Sequence, residues 1–109
     1  MITEVTSPEN FQNIIESHPQ VLMEFFADWC PHCQAFQPVL EAASSELEAN
    51  GIFVAQVDYV KFPDLFSEYG VESFPTMVFF QNGQPIASTS GERPEQAVFE
   101  WVNQVLNQE

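Results

Sequence analysis

Two cysteines follow closely after a strongly apolar stretch, and this arrangement constrains the fold more than any other feature. Residues 21–26 are apolar except for Glu24, which is the pattern of a parallel strand covered on both faces. Cys30 and Cys33 come next and are the only cysteines in the chain. At the start of a helix this spacing brings the second thiol close enough to bond the first, so the pair can hold or release two electrons. The sequence therefore predicts a redox-active dithiol between a buried strand and a helix.

Two structural roles for the cysteines are alternatives. A disulfide that closes so short a loop removes little entropy from the unfolded chain, which argues against a purely stabilising bond. A structural zinc site normally needs four Cys or His ligands, and the sequence offers only His18 and His32 besides the two cysteines. We therefore favour the redox role, with no metal and no bound cofactor.

Several residues around the cysteines resemble the thioredoxin family. Trp29 precedes the first cysteine, the apolar strand precedes Trp29, and Phe74-Pro75-Thr76 follows later in the chain. The resemblance covers nearly the whole chain and implies an α/β thioredoxin fold, a central mixed sheet of about five strands flanked by about four helices. One departure is Pro31-His32 between the cysteines, where the usual thioredoxin has Gly-Pro. This pair is similar to that of strongly oxidising periplasmic members of the superfamily.

Composition limits the size and the partners of the protein. The 109 residues, 45% of them hydrophobic, predict a single domain over 1–109 with an adequate core. Sixteen acidic residues against two basic ones, Lys61 and Arg93, give a formal net charge of −14. Such a charge argues against nucleic acid or an anionic membrane as a partner. The acidic surface either aids solubility or steers basic patches of partner proteins towards this chain.

The first residues, Met1 to Val5, contain neither a basic leader nor a long apolar segment. We therefore expect a cytoplasmic protein. We also expect a monomer. An oxidising compartment remains an alternative, because a leader removed earlier would leave no trace in this sequence.

Hydrophobic periodicity and capping residues predict strands and helices in alternation. The predicted elements are a strand at 2–5, a helix from Ser7-Pro8 to His18, strand 21–26, a helix of about 30–49 bent at Pro38, strand 52–57, a short helix stopped by Gly70, strand 76–80, an Asn82-Gly83 hairpin, strand 86–90 and a helix opened by Pro94. The apolar face of the last helix is predicted to consist of Val98, Trp101, Val102, Val105 and Leu106.

The predicted helix begins at Cys30, where free amide groups and the positive end of the helix dipole favour a thiolate. The resemblance implies that Cys30 attacks a substrate disulfide, and that Cys33, one turn deeper and more buried, resolves the mixed disulfide. Pro31 and His32 are assigned to redox tuning, since a protonated His32 would stabilise the thiolate and make the pair more oxidising. Alternatively, His32 only caps the helix or faces solvent.

Glu24 stands alone among apolar residues of the predicted strand. A carboxylate in such a place is disfavoured in its charged form, so its pKa should rise towards the range of neutral-pH proton transfer. The resemblance implies that this acid exchanges protons with Cys33, and a Glu here is more similar to protein disulfide isomerases than to the thioredoxin Asp. The family often pairs the acid with a lysine on the next strand, where this sequence has Gln56.

Pro75 matches the cis proline that faces the two sulfurs in the family. A cis Phe74–Pro75 bond would leave the backbone of residue 74 open to pair with an extended substrate segment. Trp29, Phe74 and Gly91 would border that groove. Ordinary core packing is the alternative for Trp29.

The resemblance implies thiol–disulfide exchange on protein substrates. The first hypothesis is a thioredoxin that reduces protein disulfides and is recharged by a flavoprotein of the thioredoxin-reductase type. The second is a disulfide oxidase or isomerase, suggested by Pro31-His32 and by Glu24. The third is a thioredoxin-like interaction module that performs no catalysis.

Overall fold

The computed structural model describes residues 1–108, which contain five strands and four helices. In chain order these elements are β1 (Thr3–Glu4), α1 (Pro8–Ser17), β2 (Gln20–Phe26), α2 (Pro31–Ala49), β3 (Phe53–Asp58), α3 (Pro63–Glu68), β4 (Thr76–Gln81), β5 (Gln84–Ser90) and α4 (Glu95–Leu106). None of the helices in 1–108 is both long and apolar enough to cross a membrane.

The strands form one mixed sheet in the order β1-β3-β2-β4-β5. β1, β3 and β2 are parallel, whereas β4 runs antiparallel to β2 and β5 antiparallel to β4. The central strand is β2, which explains its apolar sequence: residues 21–26 are all buried. The predicted mixed sheet with flanking helices is confirmed.

Helices cover both faces of the sheet. On one face, α1 and α3 pack on the strands through Phe11, Ile15, Phe25, Phe66 and Phe80. On the other face, α2 and α4 pack on the strands through Phe36, Leu40, Phe79, Val98 and Val102. Side chains alternate between the faces along a strand, so Glu24 lies on the α2 side, between Leu22 and Phe26. Alternation thereby brings the acid to the same face as the helix that carries the cysteines.

Local signals placed most element boundaries within a residue or two. Ser7 caps α1 by accepting a hydrogen bond from the Asn10 amide at 2.9 Å. The predicted apolar face of α4 is correct for Val98, Val102 and Val105 but wrong for Leu106, which is exposed. Leu106 is the last residue of α4 and lies past the final core residue of the helix, so burial ends before it.

Candidate active site

Cys30 is the N-cap of α2 rather than its first residue. Its sulfur accepts a hydrogen bond from the backbone amide of Cys33 at 3.2 Å and lies 3.9 Å from the carbonyl oxygen of Phe74. Pro31 occupies the first helical position, where the missing backbone N–H of proline costs nothing. Cys30, the residue before it, is therefore the N-cap. The first turn of α2 therefore offers a free backbone amide as a hydrogen-bond donor to the Cys30 sulfur.

Cys33 lies in the first turn of α2 and is 3% exposed, against 5% for Cys30. The expected order of burial holds, although the difference is small. Burial, and after it the hydrogen bond with the Cys30 side chain, raises the pKa of the Cys33 thiol to about 12. Cys33 is thus a protonated thiol at neutral pH and needs a base before it can attack a sulfur.

Glu24 is fully buried, and neither of its carboxyl oxygens has a hydrogen-bond partner within residues 1–108. Burial raises its pKa from 4.5 to about 8, as the sequence predicts. The negative charge of Glu24 also contributes to the raised pKa of Cys33, so the two groups interact. Gln56 stands opposite Glu24 in the β2–β3 register, and its Oε1 is likewise buried without a partner in the described part of the chain.

A surface cleft of about 360 Å³ lies beside this region. Cys33 and Gln56 line it together with Phe26, Asp58 and Lys61. The Lys61 amino group donates a hydrogen bond to Glu4 at 3.4 Å. Lys61 therefore brings a cation to the cleft that Gln56 also lines, although position 56 itself is uncharged. The sequence did not reveal this arrangement because Lys61 lies beyond the end of β3.

His32 is 72% exposed and donates a hydrogen bond from Nδ1 to the carboxylate of Glu92, 2.5 Å away. Glu92 follows Gly91 in the segment between β5 and α4. The sequence analysis missed this partner because sixty residues separate the two positions. The tuning role of Pro31 and His32 stays a prediction, and Glu92 has to be included in it.

The predicted groove residues come together beside Cys30. The Phe74–Pro75 bond is cis, and the Gly91 amide donates a hydrogen bond to the Pro75 carbonyl at 2.8 Å. The Trp29 and Phe74 rings meet edge to face with their centroids 5.8 Å apart. Trp29 is 57% exposed, so core packing, the alternative role, is wrong for this residue. The role of Trp29, Phe74, Pro75 and Gly91 in substrate binding remains a prediction.

Two further residues extend this apolar surface. Tyr59 and Val60 follow β3 and are exposed, and the Tyr59 ring lies 5.2 Å from the ring of Phe74. The sequence analysis did not select them. Their position after β3 could have indicated them, because residues that follow a strand parallel to β2 lie at the same sheet edge as the loop after β2.

The comparisons with known proteins agree with this geometry. A family model described as Thioredoxin matches residues 2–104. The chain belongs to the thioredoxin family. The predicted family membership is therefore confirmed, and the Cys30-Pro31-His32-Cys33 loop is its Cys-x-x-Cys motif.

Relatives of two kinds are found. The chain is 38% identical over 102 residues to protein disulfide isomerase-like 1-4 of Arabidopsis thaliana, covering 94% of this chain and 17% of the relative. It is 36% identical over 103 residues to the bifunctional thioredoxin reductase/thioredoxin of Mycobacterium leprae, covering 94% and 22%. This chain thus spans about a fifth of the length of either relative.

Among solved structures, a mutant thioredoxin from Halobacterium salinarum is 28% identical and superimposes with a TM-score of 0.83. The match covers 98% of this chain and 92% of that one. The predicted thioredoxin fold is therefore confirmed by a protein of comparable length.

Proposed function

We propose that this chain is a thiol–disulfide oxidoreductase that acts on disulfides of other proteins. The observation that carries the proposal is the contrast between the sulfurs: Cys30 accepts an amide hydrogen bond at the helix start, whereas the pKa of Cys33 is raised to about 12. Cys30 is thus the attacking sulfur, and Cys33 remains a protonated thiol until the later step. This order is what a two-step exchange requires.

In the first step the Cys30 thiolate attacks one sulfur of the substrate disulfide. The substrate S–S bond breaks, the departing sulfur takes up a proton, and a mixed disulfide with Cys30 forms. In the second step Cys33 loses its proton and attacks the Cys30 sulfur, the mixed disulfide bond breaks, and the released substrate sulfur takes up a proton from solvent. Two electrons have then passed from the pair to the substrate, and Cys30 and Cys33 share a disulfide.

Glu24 is assigned to the proton transfer at Cys33. Its pKa of about 8 lies between that of an ordinary carboxyl group and that of Cys33. Its carboxylate form is therefore accessible near neutral pH and can accept the Cys33 proton in the second step. In the reverse direction the carboxyl form, which predominates at pH 7, returns the proton to the departing Cys33 sulfur.

A cytoplasmic, monomeric thioredoxin recharged by a flavoprotein reductase is the first choice for the cellular role. The Mycobacterium leprae relative supports it, because its name combines thioredoxin reductase and thioredoxin in one protein. The similarity in fold to the Halobacterium thioredoxin also supports the thioredoxin role. In this role the chain takes part in electron transport from the reductase to protein disulfides.

A disulfide oxidase or isomerase is the second candidate. It is favoured by Pro31-His32 in the redox loop, by a glutamate at position 24 and by the similarity to the disulfide isomerase-like protein. A non-catalytic interaction module is the third candidate. In that case, replacing both cysteines by serine would cause no loss of function.

Equilibration with glutathione separates a thioredoxin-type reductant from a disulfide oxidase or isomerase. The wild-type chain is incubated over a range of ratios of reduced to oxidised glutathione, and the oxidised fraction of Cys30 and Cys33 is measured by mass spectrometry after alkylation. A thioredoxin-type reductant stays oxidised until the buffer is strongly reducing, because its potential is about −270 mV. An isomerase-type pair has a potential of about −180 mV and becomes reduced in a less reducing buffer. A pair that exchanges with no buffer in the series would contradict the proposed function.

A further inference from the structure

The pair formed by His32 and Glu92 joins the redox loop to the segment that follows β5. The His32 ring donates to Glu92 Oε1, so a carboxylate lies directly on the only ionisable side chain between the two cysteines. Glu92 lies outside the Cys-x-x-Cys motif and outside the groove residues named above. Its position therefore raises the question of what it does to His32.

Glu92 is held in place by its neighbours in the chain. The Gly91 amide donates to the Pro75 carbonyl, which fixes the backbone just before Glu92. On the other side, Nη2 of Arg93 donates to Thr89 Oγ1 at 2.8 Å and to the Ser90 carbonyl at 2.9 Å. Gly91 has a φ of +100°, a conformation that residues with a side chain rarely adopt. The carboxylate thus projects from a short segment that is anchored at both ends.

We propose that Glu92 is a positioning residue that holds His32 against the segment after β5 and offsets the charge of its protonated form, which makes the dithiol less oxidising. The proposal rests on the proposed function, in which the Cys30 thiolate is the reacting group. A protonated His32 stabilises that thiolate and so stabilises the reduced pair. A carboxylate bonded to the same ring weakens this effect, because its negative charge opposes the thiolate and its hydrogen bond restrains the ring.

The effect should be measurable but modest. His32 and Glu92 are 72% and 39% exposed, and ion pairs in water-exposed positions couple weakly. We expect about a threefold change in the equilibrium constant with glutathione, which corresponds to ~14 mV for this two-electron couple. The reaction measured is protein disulfide plus two reduced glutathione giving protein dithiol plus oxidised glutathione.

The experiment compares the glutathione equilibrium of the wild-type chain with those of Glu92→Gln, His32→Ala and the double variant. Glu92→Gln should shift the equilibrium about threefold towards the dithiol, that is, make the pair more oxidising. In the His32→Ala background the same substitution should change it less than about 1.5-fold, because the residue through which Glu92 acts is missing. Glu95→Gln is the control, since it removes the same charge from an exposed position at the start of α4.

Three results would overturn the inference. They are an unchanged equilibrium in Glu92→Gln, an equal shift in the presence and absence of His32, and an equal shift in Glu95→Gln. The second result would mean that Glu92 acts on the sulfurs directly, and the third that only net charge matters. Denaturant unfolding of each variant shows whether it is folded, and Glu92→Asp, which keeps the charge, should retain most of the wild-type value. If the wild-type chain itself did not exchange with glutathione, the proposed function would fail instead.

Discussion

The two sulfurs of the redox loop belong to the same type of residue and are three positions apart, yet they have different surroundings. Cys30 borders the exposed surface made by Trp29 and Phe74, and its sulfur accepts an amide hydrogen bond. Cys33 borders the cleft that Gln56, Asp58 and Lys61 also line, and buried Glu24 acts on its pKa. The difference arises because one residue caps α2 and the other lies inside its first turn.

One helix end therefore separates two tasks. The Cys30 side is open and apolar, which suits contact with a substrate segment. The Cys33 side lies beside a cleft and contains a buried carboxyl group of raised pKa, which suits storage of a proton. Each side can be changed by itself, and the following predictions do so in order of decreasing effect.

The largest effect is expected from exchange of either cysteine, because both are needed for turnover. With a disulfide-bonded substrate protein, Cys33→Ser should accumulate a stable mixed disulfide through Cys30, whereas Cys30→Ser should accumulate none. Non-reducing electrophoresis followed by mass spectrometry identifies the bonded residues. Trapping through Cys33 in the Cys30→Ser variant would reverse the assigned roles. Full cellular function in the double serine variant would support the interaction module.

The second largest effect is expected on the free energy of unfolding when Glu24, on the Cys33 side, is replaced. The folded pKa of Glu24 is raised from 4.5 to about 8, so the native state holds the proton more tightly than the unfolded state. This contribution to stability is fully present below pH 4.5 and is lost as the pH rises towards 8. Glu24→Gln avoids the loss and should be more stable than wild type by about 3 kcal/mol at pH 7, since one pKa unit corresponds to about 1.4 kcal/mol.

Denaturant unfolding at several pH values tests this expectation. The gain in Glu24→Gln should grow between pH 4.5 and 8 and be small at about pH 4. Glu46→Gln, an exposed acid on α2, is the matched control and should show no such growth. A gain that is the same at acidic and neutral pH would mean that burial does not hold the Glu24 proton. At the same time Glu24→Gln should slow reduction of substrate, because Cys33 loses its proton acceptor.

On the Cys30 side, Trp29→Ala should lower kcat/KM for a protein disulfide by about tenfold, as expected for loss of an aromatic contact in a binding surface. The equilibrium with glutathione should change much less, because the role predicted for Trp29 is contact with the substrate and not an effect on the sulfurs. Ile86→Ala, which removes an exposed apolar side chain of β5, is the control. A tenfold loss in that variant too would show that general surface apolarity, and not the groove, is responsible.

The smallest effect is expected from His32→Pro, which removes the ionisable group beside Cys30. The pair should become more reducing, by about fivefold in the equilibrium with glutathione or ~20 mV, since a charge in water-exposed surroundings acts weakly. A potential that stays the same or becomes more oxidising would contradict the tuning role of His32.

Much of the fold could be predicted because its signals are local. The continuous apolar run of β2 indicated a strand buried on both faces, and Ser7-Pro8 and Asn82-Gly83 marked a helix start and a hairpin. Leu106 was misplaced because helical periodicity continues to the last residue of α4, whereas the packing surface does not. Periodicity alone carries no information on where a neighbouring element ends.

Residue type and spacing along the chain were enough to identify the cysteine pair and the acid that precedes it, and the resemblance to the thioredoxin family indicated the cis bond before Pro75. Tertiary structure alone decided what surrounds them: the carboxylate of Glu92 on His32, the cleft that Cys33 shares with Lys61, and the ring of Tyr59 on Phe74. These contacts join residues from different elements. Their electrostatic and packing energies depend on distance in space, which sequence separation does not reveal.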